Sequence, residues 1–185
     1  YDNVSQSTQT MEKIASGDGK TMVCGTSNCF LDNGSGYFAN VSRPIGATVG
    51  TTTSAQKIVY AQNHFIAATD SGLQYFSGSS WQKGNGGSTG SFQNLVYLNS
   101  KNLLFSSRYS ATVGYSNYVS TNLGISWTEE SCGFNSQGED FAAGNGLIIG
   151  TNNDHVKSTD NGSCMSTHNN FNYNQNGINK IHFIK

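Results

Sequence analysis

The chain has 185 residues, a net charge of −1 and only 11% charged residues, with 22 glycines and a single proline. Its ten basic residues are scattered singly, which leaves no stripe to neutralise phosphates and excludes nucleic acid as an expected partner. No apolar stretch approaches the roughly 20 residues that span a bilayer as a helix, so membrane insertion is not expected.

Gly, Asn, Ser and Thr dominate the polar positions, and strong helix formers are scarce, which favours many short strands joined by tight turns. Residues 1–10 read as a lone outer strand. Lys13–Gly17 and Thr21–Gly25 then form a strand pair, and Cys24-Gly-Thr-Ser-Asn-Cys29 has the spacing of a bridged hairpin. We read Cys24 and Cys29 as a disulfide, with free buried thiols as the alternative; zinc would more often show Cys-x2-Cys with a second pair. Further pairs follow at Lys57–Gln62 with Phe65–Thr69, Asn94–Leu98 with Leu103–Ser107, and Asp140–Ala143 with Leu147–Thr151. Asn179-Lys180-Ile181 opens one more such strand near the end of the sequence.

These pairs repeat. Polar leads at Glu12-Lys13-Ile14, Gln56-Lys57-Ile58, Gln93-Asn94-Leu95 and Glu139-Asp140-Phe141 are each followed by a turn of the form Gly-x-x-aromatic or Gly-x-x-Met. Ile14 to Gly34 and Ile58 to Gly78 span 20 residues each, Phe141 to Gly162 spans 21, and Leu95 to Gly124 spans 29. Insertions near Arg43–Thr53 and Arg108–Tyr118 account for the departures. A four-stranded repeat of about 40 residues is the blade of a propeller. The expected fold is therefore all-β, with antiparallel four-stranded blades at 11–54, 55–91, 92–137 and 138–177 and partial strands at 1–10 and 178–185. Helical repeats of similar period are excluded by the glycine spacing.

The turns carry a family resemblance. Ser120-Thr-Asn-Leu-Gly-Ile-Ser-Trp127 and Ser158-Thr-Asp-Asn-Gly-Ser-Cys-Met165 resemble the Asp-box, or BNR repeat, Ser-x-Asp-x-Gly-x-x-Trp. Phe30 to Tyr37 keeps the Asp, Gly and an aromatic, while Gln74 to Trp81 keeps the Gly and Trp. In that family the boxes are structural clips between third and fourth strands, on the rim away from the usual ligand face. The resemblance thus implies structural roles for Asp32, Gly34, Tyr37, Gly78, Trp81, Ser120, Asn122, Gly124, Trp127, Ser158, Asp160 and Gly162. The aromatic of each box is expected to pack back onto its blade.

The same family includes sialidases, whose arginine cluster has no counterpart here, since the chain holds only Arg43 and Arg108. The acidic pairs Glu129-Glu130 and Glu139-Asp140 read as solvated turn charge rather than as opposed catalytic carboxylates. His64, His155, His168 and His182 lie in different repeats without metal-ligand spacing, so no metal or cofactor is expected. The expected ligand face is built from the B–C and D–A connections, which join second to third strands and one blade to the next. Its B–C members are Thr26–Asn28, Thr69–Gly72, Arg108–Tyr118 and Thr151–His155. Arg108, Tyr109, Tyr115 and Tyr118 with Asn152, Asp154 and His155 are the candidate ligand contacts, because tyrosine and amide groups suit sugars and peptides. The expected function is an exported, non-catalytic binding or adhesion module for a glycan or protein, placed outside the cell, on its surface or in the periplasm. The alternatives are a fragment of an Asp-box glycoside hydrolase and a self-assembling scaffold joined through open blade edges.

Overall fold

A computed structural model of the chain describes residues 10–46, 48, 51–87, 90–110, 114–130, 140–152, 155–162 and 166–168. Asn179–Ile181, Asp154, Glu139, Cys132, Cys164 and Met165 lie outside the described residues.

Four antiparallel four-stranded sheets follow one another along the described chain, each made of consecutive strands. The first contains β1 (Met11–Gly17), β2 (Lys20–Gly25), β3 (Cys29–Asp32) and β4 (Ala39–Val41). The second contains β5 (Ala55–Ala61), β6 (His64–Thr69), β7 (Gly72–Phe76) and β8 (Trp81–Lys83). The third contains β9 (Phe92–Leu98), β10 (Leu103–Ser110), β11 (Gly114–Ser120) and β12 (Thr128–Glu130). The fourth contains β13 (Asp140–Gly144), β14 (Leu147–Asn152), β15 (His155–Thr159) and β16 (Ser166–His168). The first strands β1, β5, β9 and β13 contact one another in that order. These are four blades of a β-propeller.

The A–B hairpins close because their turn residues accept left-handed backbone angles. Asp18-Gly19, Gln62-Asn63 and Asn145-Gly146 all sit at positive φ, between 42° and 78°, which matches the twist of the flanking strands. The third blade instead uses a single 3-10 turn, Asn99–Lys101, ended by Asn102 at φ 48°.

One rule organises the core. Ile14, Ile58, Leu95 and Phe141 are register equivalents, paired with Val23, Ala67, Ser106 and Gly150 on the second strands. Ile58 packs with Ala15, Met22 and Leu31 of the first blade. Leu95 packs with Ile66, Ala68 and Leu73 of the second, and Phe141 with Val96, Leu98 and Phe105 of the third. This face of each blade therefore receives the preceding blade, and the opposite face presents itself to the next. Both faces of the inner strands are buried, which is why they carry apolar residues without strict alternation.

Two expectations are corrected. Arg108–Tyr118 is not a loop inserted after the strand. β10 and β11 continue through Arg108↔Ser116, Tyr109↔Tyr115 and Ser110↔Gly114, making the longest hairpin among the described residues. The Ser and Tyr residues of this stretch pair readily once two strands are already in register.

The second correction concerns the C–D turns, which are not one motif at a common phase. Register equates Asp32, Phe76, Ser120 and Thr159 as the ends of the third strands, through their pairing with Thr21, Phe65, Leu104 and Ile148. The turn glycines Gly34 and Gly78 follow these ends by two residues, Gly124 by four and Gly162 by three, so they do not share one register. Phe76 pairs with Trp81, and one step beyond the Leu31↔Ala39 pair brings Phe38, not Tyr37, opposite Asp32. Tyr37 is accordingly 73% exposed and does not pack back on its blade.

Each turn closes with its own chemistry. Asp32 Oδ1 accepts from the amides of Gly34, Ser35 and Gly36 at 2.9, 2.9 and 3.1 Å. Ser120 Oγ accepts from Gly124 N at 3.0 Å, and Asn122 Oδ1 accepts from Ser126 N at 2.9 Å. In the fourth blade Thr159 takes the role of Ser120, accepting from Gly162 N at 3.1 Å. Asp160, one residue on from that register, is exposed and pairs with Lys101 at 3.1 Å. The third-blade turn also grips its neighbour: Asn85 N donates to Ile125 O at 2.9 Å and Trp127 N to Asn85 O at 2.7 Å. Trp81 does likewise, donating from Nε1 to Ser42 O of the preceding connection at 2.9 Å.

Candidate functional site

Strand direction puts the A–B and C–D turns at one end of the blades, and the B–C and D–A connections at the other. Gly25, Thr69, Arg108 and Asn152 each lie two residues beyond the paired residues Val23, Ala67, Ser106 and Gly150, so they stand at one level of the B–C end. Four supports hold this end in place.

In the first blade Cys24 and Cys29 are directly paired across β2 and β3 and form a disulfide. In the second, Thr69 Oγ1 donates to Gly72 O at 2.7 Å and accepts from Ser71 N at 3.0 Å, tightening the B–C turn. Gln74, fully buried, anchors the connection between first and second blades. Its Oε1 accepts from Ile45 N at 2.7 Å while its Nε2 donates to Ile45 O at 2.8 Å. Asp70 gathers the next connection, accepting from Gln56 Nε2 at 3.1 Å and Ser91 Oγ at 2.7 Å.

The third blade carries the densest polar group. The Arg108 guanidinium carbon lies 5.2 Å from the centre of the Tyr118 ring, a cation–π arrangement. Gly90 leaves it room, since a Cβ there would stand 3.1 Å from an Arg108 terminal nitrogen. Phe92, fully buried, meets the Tyr118 ring edge-on at 5.0 Å. Tyr118 and Ser116 both hydrogen-bond to the Glu129 carboxylate. Burial first, then the hydrogen bond to Glu129, pushes the Tyr118 phenol up to about 12, against the opposing pull of Arg108. Those same donors, from Ser116 and then Tyr118, hold the Glu129 carboxyl below its ordinary value, with Arg108 adding to the effect and burial opposing it. The result is an ionised carboxylate beside a fixed guanidinium, braced by a neutral phenol.

The candidate residues named from the sequence divide accordingly. Arg108 and Tyr118 are brought together, but Tyr118 is 2% exposed and works as the floor under Arg108. Tyr109 and Tyr115 pair in the extension of the hairpin, and Asn152 pairs with His155 at the matching end of the fourth blade. Asp154 lies outside the described residues. Glu129 is exposed, as expected of a solvated charge, but it sits on β12 opposite Tyr118 rather than in a turn, where both donors reach it. Ser116, Asp70 and Gln74 escaped the sequence reading because their partners are distant in the chain; for Gln74 the signal was a polar residue inside the otherwise apolar β7. Among the described residues, no group of three His, Cys, Asp or Glu side chains is arranged to hold a metal ion.

No family model matches the sequence. No curated protein matches it either. Solved structures do. The GH74 enzyme of Niastella koreensis aligns with a TM-score of 0.62 at 20% identity, over 85% of this chain and 24% of that one. YCF48 from Cyanidioschyzon merolae aligns at 0.58 and 8% identity, over 86% and 58%. The extracellular domain of a one-component system from B. thetaiotaomicron aligns at 0.59 and 9% identity, over 85% and 22%. The chain thus spans between about a fifth and three fifths of these structures, and what it shares with them is the propeller fold.

Proposed function

We propose that the chain is an exported, non-catalytic binding module that takes a glycan or protein ligand at its B–C/D–A end. The observation that carries this reading is Arg108, fixed over Tyr118 and beside Glu129 where the longest hairpin among the described residues leaves the third blade. A guanidinium offers five donors in a rigid fork, and Glu129 beside it offers acceptors, a combination suited to hydroxyl, carboxylate or amide groups. Holding both side chains in advance reduces the ordering cost of binding.

The same electrostatics argue against Glu129 as a general acid. A general acid needs a carboxyl whose pKa is raised toward neutrality, and Glu129 is held in the opposite direction. The Ser120–Trp127 turn supports an Asp-box relationship, with Asn122 in place of Asp and the box acting as a clip between blades. The Cys24–Cys29 disulfide supports an oxidising compartment outside the cytoplasm.

Glycan and peptide arrays, run beside a panel of fluorogenic glycosides, test the proposal. Binding without hydrolysis is the expected result. Turnover of any glycoside removes the non-catalytic assignment, and silence on both arrays removes the binding assignment.

A further inference from the structure

Arg108 shares its surroundings with a second carboxylate. It stands over Tyr118 on the face of the third blade that receives the second, and Gly90, in the connection between those blades, leaves its side chain room. The next residue along that connection, Ser91, donates from Oγ to Asp70 Oδ1 at 2.7 Å, and Gln56 Nε2 donates to Asp70 Oδ2 at 3.1 Å. Gly90 and Ser91 are one peptide unit apart, about 3.8 Å between Cα atoms. A single connection therefore touches both the guanidinium and the Asp70 carboxylate. Asp70 also follows Thr69, which stands on the second blade at the level of Arg108 on the third. Both blades of this seam are interior to the described arc, each packed against a further blade on its other side.

The chemistry of the seam is selective. Asp70 and Glu129 are exposed carboxylates, each oriented by two neutral donors: Gln56 and Ser91 for the first, Ser116 and Tyr118 for the second. A carboxylate has roughly four acceptor positions, so about two remain on each. No cation among the described residues pairs with Asp70. A hydroxyl both donates and accepts, so adjacent hydroxyls of a sugar ring can bond to these carboxylates and to the Arg108 fork together. An acidic sugar would instead bring a third carboxylate beside two, with one guanidinium to meet it, and like-charge juxtaposition is costly. A peptide would call for an apolar or aromatic pocket to anchor it. Among the described residues of the second and third blades, the only exposed large apolar side chain is Ile125, which lies on a C–D turn away from this seam.

We propose that the seam between the second and third blades takes a neutral, hydroxyl-rich glycan, and that Asp70 is the residue that turns acidic sugars away. Such selectivity presupposes the binding role proposed for the B–C/D–A end and narrows it to one class of ligand.

Isothermal titration tests it, using neutral hexasaccharides of glucose, mannose and galactose, each beside its counterpart with the primary hydroxyls oxidised to carboxylates. The proteins are the parent, Asp70→Asn and, as a control at the A–B end, Asp18→Asn. A neutral hexasaccharide should bind the parent at least tenfold more tightly than its oxidised counterpart. Asp70→Asn should narrow that ratio at least threefold, and Asp18→Asn should leave it unchanged. Because Asp70 is exposed and asparagine keeps its shape, the variant stays folded, which circular dichroism verifies. Preference for the oxidised sugars, or binding confined to acidic glycans or peptides on the arrays, overturns the neutral class while leaving the binding module in place. Equal weakening of both sugars by Asp70→Asn, or an equal change of ratio in Asp18→Asn, overturns the role of Asp70. Silence of the hexasaccharides and of both arrays removes the binding role itself, and this selectivity with it.

Discussion

Trp127 and Tyr37 occupy neighbouring positions in turns that look alike in sequence, yet they should differ sharply in energetic weight. Trp127 is 5% exposed and donates from Nε1 to Gly124 O at 3.0 Å. Its ring rests on Gly84 and Gly87, where an added Cβ would come within 2.7 and 3.0 Å of it, and on Leu73 of the second blade. Trp127→Ala deletes a plug between two blades, so a loss of about 3–5 kcal/mol is expected. Tyr37→Ala removes a ring that is 73% exposed and should stay within about 0.5 kcal/mol of the parent. Urea unfolding followed by far-ultraviolet circular dichroism reads both, at a concentration where sedimentation shows monomer. With a slope of about 2 kcal/mol per molar, Trp127→Ala should move the midpoint down by roughly 1.5–2.5 M. Trp127→Phe, which keeps an aromatic plug, guards against complete unfolding and should fall between the two. Equal midpoint shifts for Trp127→Ala and Tyr37→Ala would refute the register assigned to these turns.

Gly150→Ala should lower stability by about 1–3 kcal/mol, because the new Cβ would stand 2.4 Å from the Phe141 ring; a thermal melt no lower than the parent's would show that the Phe141 ring does not lie over Gly150. Replacing both Cys24 and Cys29 by Ser releases a short loop and should cost about 2 kcal/mol, measured as the shift in urea midpoint of the non-reduced protein. The Tyr118 phenol is raised, so its contribution is fully present below pH 10 and is lost as pH rises from 10 towards 12. That loss amounts to at most about 3 kcal/mol, and the difference between parent and Tyr118→Phe should shrink over that window. Glu129 is lowered, so its share is present at neutral pH and disappears as pH falls below the ordinary carboxylate range, a limb that Glu129→Gln should flatten.

Much of the fold was legible because local chemistry and global arrangement agree. Asp18-Gly19 and Asn145-Gly146 mark hairpin turns between apolar runs, and the Cys24–Cys29 spacing marks a strand pair bridged across its turn. The third-to-fourth-strand turns were misaligned because glycine was used as the anchor. Register depends on strand ends, and Gly124 follows Ser120 by two residues more than Gly34 follows Asp32. The β10–β11 hairpin was hidden for a related reason: Ser106 to Ser110 contains no alternation of apolar and polar residues, and its pairing is dictated by β9 alongside. Of the candidate site, Arg108 was found through the long, tyrosine-rich segment that it opens. Glu129 was not, since the donors that orient this exposed carboxylate come from Ser116 and Tyr118 on the adjacent strand.

The most direct test of the ligand face is isothermal titration of the strongest array hit into the parent protein, Arg108→Ala and Lys101→Ala. Lys101 belongs to the opposite end of the blades, where it pairs with Asp160. Arg108→Ala should weaken binding at least tenfold, with Lys101→Ala unchanged. Equal affinity of the parent and Arg108→Ala, or a loss confined to Lys101→Ala, would contradict the placement of the site at the B–C/D–A end.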